Sequence, residues 1–534
     1  MNGSACADHE RLVAMLLQPA RYPHPVQTVR LVETHISSVL LTGDYAYKLK
    51  KPLDLGFLDF STLAKRHASC LEEVRLNRRF APEIYLGVVS ILGSVDDPRF
   101  DGTGEVIEYA VKMREFPQSA LLDAILAAGE IHAGLIDRVA EVVADFHGRA
   151  DRAPETMAYG SAPQVISPAM ENFSDISVRL TLPEDRDVLD RLRAWTRATS
   201  TDLHPVFARR KADGFVRECH GDLHLGNIAW IDGRIQLFDG IEFNARLRWI
   251  DVASDIAFLF MDLAERAHPD LAWRFLNRYL EQSGDYAAMG VLNFYLVYRA
   301  MVRAKVALIR SGQEHLSPAE RESAWAAFRA YLGFASARTR VRHPLLIITH
   351  GPSASGKTMI SQGMLERFGA IRLRADVERK RLHGVEAAAR SGSPLAGGIY
   401  DPAATRRTYA YLLEQARLVL SAGYPVILDA TFLARWQRNL ARDLACTVDA
   451  PFMIVDCQAP AGELQRRVVE REREAVDASE ATMAVLDYQM ASAEPLEQEE
   501  LLHTVHIDSA RESLDAAVAR IADRLGSRGG ARPT

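Results

Sequence analysis

The chain has little of what would staple it, anchor it or build it from repeats. Its five cysteines, at 6, 70, 219, 446 and 457, are odd in number and include no C-x-x-C pair, which argues against both a disulfide framework and a cysteine zinc site. Reduced thiols, mostly filling the core, are expected instead. Nowhere do about eighteen apolar residues run together, since even IAFLFMDLA is bracketed by Asp255 and Glu265, so no membrane-spanning helix and no membrane partner are expected. The opening residues MNGSACADHERLV lack a basic flank followed by an apolar core, so no secretory signal is expected and the location should be cytoplasmic. Positive charge is not in excess either. The formal net charge of -6 removes the field that drives non-specific nucleic-acid binding, and nucleic acid becomes a disfavoured partner that only a local basic groove would restore. No segment recurs at a spacing of about 20 to 50 residues. The one low-complexity stretch is the Gly/Arg/Pro tail 526–534, expected to be disordered.

What the chain does have is length and a phosphate loop. At 534 residues it exceeds one core, and at about 100 to 200 residues per domain it should hold two or three compact units. GPSASGKT, from Gly351 to Thr358, fits G-x-x-x-x-G-K-[ST] at every fixed position and follows the apolar run 345–349. A strand there delivers the chain into a tight turn whose N–H groups face phosphate oxygens, and a helix then starts with its positive end on the same anion. Gly351, Ser353, Ser355 and Gly356 would cradle the nucleotide, Lys357 would reach the β- and γ-phosphates, and Thr358 would hold Mg²⁺ through its hydroxyl. A nucleoside triphosphate site is therefore expected here, behind some 340 residues that need a separate account.

In that first part, 39–41 and 45–50 read as two strands joined by a Gly43-Asp44 turn, with Ala46, Lys48 and Lys50 on one face. A helix from Ser61 then carries Glu72 and Glu73. Strand, lysine, then helix with glutamate is the order of a protein-kinase-like small lobe, in which the lysine pairs with a helix glutamate and contacts the α/β-phosphates. On that reading Met113 and Glu115 belong to the hinge beside the adenine. The segment 131–149 places Ile136, Val139, Val143 and Phe146 at helical spacing, so it reads as core, with His132 and His147 structural.

Further along, His220-Gly221-Asp222 with Asn227 five residues after the aspartate has the spacing of a phosphotransfer loop. The aspartate would take the acceptor hydroxyl's proton and the asparagine would bind Mg²⁺. A hairpin, 228–231 and 234–238 about Asp232-Gly233, then aims Asp239 back at the same point. His220 and His224 are an alternative zinc pair, disfavoured by the glycine between them and the lack of an evident third ligand. On these residues the stretch from about 25 to 335 resembles the aminoglycoside phosphotransferase family, a kinase-like fold with the loop H-G-D-x-x-x-x-N. The resemblance implies Lys48 on the phosphates, Glu72 or Glu73 as its partner, Asp222 as base, Asn227 and Asp239 as Mg²⁺ ligands, and Asp255 as a brace for the loop. One departure is the nucleotide-covering turn near THISSVLL, which has no glycine, so that grip there would rest on Ser37, Ser38 and backbone N–H groups. In LNFYLVYRAMVRAKVALIR, Val297, Met301, Ala304 and Leu308 form an apolar stripe, while Arg299, Arg303 and Arg310 share another face that is either solvated or turned to a neutral or anionic acceptor.

From Pro344 strands and helices alternate, which calls for a parallel sheet covered on both faces. Polar residues then fall at strand ends, where such sheets keep their sites. Asp376 would activate an acceptor hydroxyl, Arg379 one turn on would hold acceptor or phosphate, and Asp429 with Thr431 would contact substrate or metal. Arg467 and Arg471, four apart on a helix, read as a lid closing over the transferring phosphate, against the plainer reading of a solvated face. This half resembles the small P-loop kinases that include gluconate kinase, chloramphenicol phosphotransferase, zeta toxins and the kinase domain of polynucleotide kinase; D-x-x-R at Asp376 and Arg379 is the shared feature.

The expected architecture is thus an α+β protein-kinase-like domain of two lobes over 1–340, an α/β P-loop domain with a parallel sheet over 343–525, and the tail 526–534. Two ATP- and Mg²⁺-dependent sites would each phosphorylate a small-molecule hydroxyl, of a sugar, an amino alcohol or an antibiotic-like compound. Two alternatives stay open: a C-terminal kinase of polynucleotide 5′-hydroxyls or nucleotide sugars, and a non-catalytic nucleotide sensor in one half. Oligomeric state is not readable.

Overall fold

The computed structural model describes residues 3–526 apart from 57, 181, 314–315, 341–342, 388, 394–396 and 475–479. All but the first residue of the tail 526–534 therefore lies outside the described residues. The chain forms two compact units, Met1–Asn172 with Ser200–Asp262 and Phe173–Thr199 with Leu263–Thr534.

The first unit is built on an antiparallel sheet in the order β1-β2-β3-β6-β4-β5. Its strands are β1 (Arg30–Glu33), β2 (Ser37–Leu41), β3 (Tyr45–Lys50), β4 (Tyr85–Ser94), β5 (Asp97–Arg99) and β6 (Val106–Arg114). Alternation along β3 sends Tyr47 and Leu49 into a core with Leu12, Val13 and Leu16 of the first helix, while Ala46, Lys48 and Lys50 are buried on the opposite face. The helix Leu63–Asn77 packs there, through Cys70 and Val74 against Tyr85 and Val111. Its start is set by Thr62, whose hydroxyl accepts from the Lys65 N–H at 3.3 Å. Two short antiparallel pairs follow: β7 (Val216–Glu218) with β10 (Trp249–Asp251), and β8 (Ile228–Ile231) with β9 (Arg234–Leu237). The β8–β9 turn has φ of 49° at Asp232 and 74° at Gly233, the left-handed pair a two-residue hairpin requires. The helix Ala133–Arg149 buries Ile136, Val139, Val143 and Phe146 as its spacing predicts, and His132 caps its start.

The second unit centres on a fully parallel sheet, β12-β13-β11-β14-β15. The strands are β11 (Leu346–His350), β12 (Ile371–Arg374), β13 (Val426–Asp429), β14 (Phe452–Gln458) and β15 (Thr504–Asp508). Ile347, Ile427, Val455 and Ile507 meet the helices Lys357–Phe368 and Leu514–Gly526 on one face. Leu346, Ile348, Leu428 and Ile454 alternate to the other face and are equally buried, the two-sided burial a parallel sheet needs. The strand β15 is an addition to the sequence reading. The helices Pro269–Ser283, Met289–Ser311 and Pro318–Arg338 belong to this unit. In the second of these, Val297, Met301, Ala304 and Leu308 are buried as a stripe. The three arginines share the opposite face but differ in surroundings along it: Arg299 is buried, the Arg303 guanidinium lies over Tyr331, and Arg310 is exposed.

Two candidate nucleotide sites

In the first unit the Lys48 ammonium donates to Glu73 Oε1 at 2.8 Å and also to Asp239. Glu73 is thus the helix partner. Glu72 faces away, accepting from Arg75 and from Arg248, each at 2.7 Å. Lys50, on the same strand face, is a second buried lysine whose pairing sequence reasoning missed: it donates to the other Glu73 oxygen and to Glu242. Burial would pull the Lys48 ammonium down, but Asp239, Glu73 and Glu242 outweigh it and the net shift is upward. Burial likewise opposes the Glu73 carboxylate, and the two lysines bring it down to about 2. Asp239 sits at φ 60°, fixed by its own N–H to the Tyr85 hydroxyl at 3.0 Å and by Gly240 N–H to Asn77 Oδ1 at 2.8 Å.

The catalytic-type loop hangs from Asp255. One of its oxygens accepts from His220 N–H at 3.0 Å and the other from Gly221 N–H at 2.9 Å. Gly221 is required by φ 87° and by Leu247 O, which a Cβ would meet at 2.8 Å. The Asn227 amide donates to Asp222 O at 3.0 Å and Asp222 Oδ2 at 3.3 Å, so its Oδ1 remains as the ligand atom. Asn227 and Asp239 therefore offer oxygen donors of the hard type that Mg²⁺ takes. The zinc alternative is not supported, since His220 Nε2 donates to Phe238 O at 2.8 Å and its Nδ1 accepts from Asp222 N–H at 3.3 Å. Among the described residues, one buried trio of metal-capable type occurs, His147, Cys219 and Asp255, and Asp255 is committed there to the loop.

Met113 lies in β6 opposite Ala46, and Glu115 just past it donates its N–H to Asp44 O at 3.0 Å while its carboxylate accepts from Gly43 N–H at 2.7 Å. The Glu115 side chain thus ties down the β2–β3 turn, and only its carbonyl is available to a base. Ser37 and Ser38 are wholly buried, with Ser38 Oγ within 3.1 Å of His9 Nε2, so the serine hydroxyls do not face a nucleotide. In the β1–β2 turn the N–H groups of Thr34, Ile36 and Ser37 are also taken, by Ser37 O and Thr34 Oγ1.

In the second unit Gly351 has φ 129° and donates to Thr431 O at 3.1 Å, and Gly356 at φ 89° opens the helix Lys357–Phe368. The Lys357 ammonium folds back onto Pro352 O at 2.6 Å and lies 3.5 Å from Ser355 Oγ. Burial lowers its pKa, against Asp429, Cys457 and Asp376, while Arg471 adds to the lowering. A phosphate would relieve that burden. The Ser353 N–H is taken by Gln489 Oε1 at 2.7 Å. Asp429 is buried at the end of β13 and accepts from Ser361 Oγ at 3.0 Å. Asp376 and Arg379 lie on the helix Ala375–Leu382, their groups 3.4 Å apart, with the Arg379 guanidinium 4.7 Å from the Tyr400 ring centre. Thr431 bonds the Tyr409 hydroxyl. Arg467 is held in place by four acceptor atoms. It bonds Glu463, Ala354 O at 3.2 Å, and Ser509 O at 2.9 Å, and so rivets its helix to the outside of the phosphate loop. Nothing in the sequence spacing marked Tyr400 or Gln489.

Each unit thus holds a buried lysine facing carboxylates: Lys48 with Glu73 and Asp239 in the first, Lys357 with Asp429 and Asp376 in the second. Residues 346–496 match a family model described as AAA domain (AAA_33). Over 466 residues the chain is 32% identical to the uncharacterized protein Rv2004c of Mycobacterium tuberculosis, covering 87% of this chain and 91% of that protein. The uncharacterized protein Mb2027c of Mycobacterium bovis matches over the same shares. The chain belongs to the family of these mycobacterial proteins. Among solved structures, a choline/ethanolamine kinase family protein from Mesorhizobium loti is 14% identical with a TM-score of 0.36, over 63% of this chain and 99% of that one. A gluconokinase from Sinorhizobium meliloti 1021 is 21% identical with a TM-score of 0.26, over 35% of this chain and 99% of that one.

Proposed function

We propose that the chain is a bifunctional phosphotransferase whose two sites, one around Lys48 and Asp222 and the other around Lys357 and Asp376, each pass the γ-phosphoryl group of ATP to a hydroxyl of a small molecule. The observation that carries this reading is that each half holds its own complete set: Lys48, Glu73, Asp222, Asn227 and Asp239 in one, Lys357, Thr358, Asp376 and Asp429 in the other. In the first site Asp222 takes the proton of the acceptor hydroxyl as its oxygen bonds the γ-phosphorus and the bond to ADP breaks; Lys48 holds the α/β-phosphates. Asn227 and Asp239 here, and Thr358 in the second site, would hold Mg²⁺, which would supply neutralisation of charge on the transferring group. In the second site Asp376 is the base, Lys357 and Arg471 supply cationic charge, Arg467 positions the lid helix, and Asp429 and Thr431 border the acceptor. Arg379, buried beside Tyr400 with its Nε unpaired, favours an anionic or neutral acceptor over a polycation.

The test is ADP release against sugars, aminoglycosides, amino alcohols, nucleosides and 5′-hydroxyl oligonucleotides, with wild type, Asp222→Asn and Asp376→Asn in parallel. Each variant should lose one acceptor-stimulated activity by about a hundredfold or more and retain the other. One substitution silencing both would contradict independent sites.

A further inference from the structure

The strand β12 is the edge of the parallel sheet, and Asp376 follows it by two residues. Ile371 turns its N–H to Pro425 O on the β13 side at 2.8 Å, so Ala370 O and Arg372 N–H point out from the sheet, where an edge strand normally meets solvent or another chain. Both are satisfied by one side chain. The Asn277 amide donates to Ala370 O at 2.9 Å and its oxygen accepts from Arg372 N–H at 2.7 Å, as a sixth strand would. Asn277 is itself buried in the helix Pro269–Ser283.

One turn further along that helix, Glu281 is buried between Arg372, at 3.4 Å, and Arg374, at 3.2 Å. Arg372 continues to the phosphate-loop helix, reaching Thr358 O at 3.4 Å and Ser361 Oγ at 3.3 Å, and Ser361 bonds Asp429. The helix Ala375–Leu382 is gripped from its other side. Tyr286, in the 3-10 turn Tyr286–Ala288, donates its hydroxyl to buried Glu378 at 2.8 Å, and Arg381 spans Glu378 and the carbonyls of Glu281 and Gln282. Gly369, at φ 65°, lies so close under Trp273 that a Cβ would come within 2.7 Å of the indole. Glu378 and Arg381 thus face these contacts while Asp376 and Arg379, on the same two-turn helix, face Tyr400.

We propose that the face of Asn277, Glu281 and Tyr286 is the positioning element of the P-loop site, setting the Asp376 helix against Thr358 and Asp429; this rests on the kinase reading of that site. None of the three touches the phosphate loop. They act through Glu378 and Arg372, so the C-terminal kinase is complete only with helices that precede its phosphate loop by some 60 to 80 residues.

The experiment uses the full chain with Lys48→Ala to silence the first site, and follows ADP release from Mg·ATP without added acceptor together with backbone hydrogen exchange over 370–382. Tyr286→Phe removes one hydroxyl and should lower kcat about tenfold with KM for ATP and the unfolding midpoint unchanged. Asn277→Ala should speed exchange of the Arg372 N–H and of the Asp376 helix. Wild-type kcat in Tyr286→Phe with wild-type exchange in Asn277→Ala would overturn the proposal, as would parallel losses of ATP affinity, kcat and midpoint, which mean support of the fold alone. If Lys357→Ala leaves ADP release unchanged, the kinase reading of the site has failed, and exchange then decides alone: faster exchange sustains the positioning, unchanged exchange overturns it.

Discussion

Glu73 receives two buried ammonium groups, and the second one changes how the first unit's site has to be understood. On the proposed function Lys48 can trade Asp239 for phosphate because Lys50, itself anchored by Glu242, stays on Glu73 and keeps its charge paired. The residue scale also carries a pH dependence. His9 packs under the sheet beside Ser38, and burial, with Lys51 and Arg66 nearby, depresses its pKa from 6.5 to about 4, against an opposing pull from Glu33. Between those values the unfolded chain binds a proton that the folded chain refuses, so stability is full above the unfolded value and falls as pH drops through the window. Urea unfolding of the first unit should therefore lose about 1 to 3 kcal/mol between pH 7 and pH 4, and His9→Gln should remove most of that slope. A slope unchanged in His9→Gln would contradict the assignment.

At the scale of elements, the phosphate loop depends on a backbone that only glycine tolerates. A Cβ on Gly351 would meet Cys457 O at 2.4 Å and Ser355 Oγ at 2.8 Å, at φ 129°. Gly351→Ala should cost about 1 to 3 kcal/mol of strain in the loop, read as a fall of about tenfold or more in affinity for an ATP analogue at this site in the Lys48→Ala chain. Unchanged affinity would show that the loop relaxes without loss. The parts of both sites that were legible in the sequence are those whose residues lie within one turn or one hairpin of each other: GPSASGKT, HGD with Asn227, and Asp376 with Arg379. Lys48 was legible because strand alternation places it on one face with Ala46. The Lys50–Glu242 pair was not, since its partners stand 192 positions apart and no local pattern links them. The strand β15, TVHID, carries three polar residues in five and closes a sheet edge, so its apolar signal was too thin to read. Amphipathic spacing likewise reveals that the helix Pro269–Ser283 has an apolar face but not which sheet that face covers; Asn277 meets Ala370 across 93 positions.

On the proposed function the whole molecule is two kinases on one chain. No helix among the described residues is long and apolar enough to cross a membrane. All five cysteines are free, three of them buried in cores, which fits the reduced thiols expected from their odd number. Independent function requires that each site bind nucleotide by its own lysine. Titration calorimetry with a non-hydrolysable ATP analogue and Mg²⁺ tests this without knowledge of either acceptor. The account predicts two nucleotides per wild-type chain, one in Lys48→Ala, one in Lys357→Ala, and none in the double variant. A wild-type chain that binds one nucleotide, or a single substitution that removes both, would contradict it.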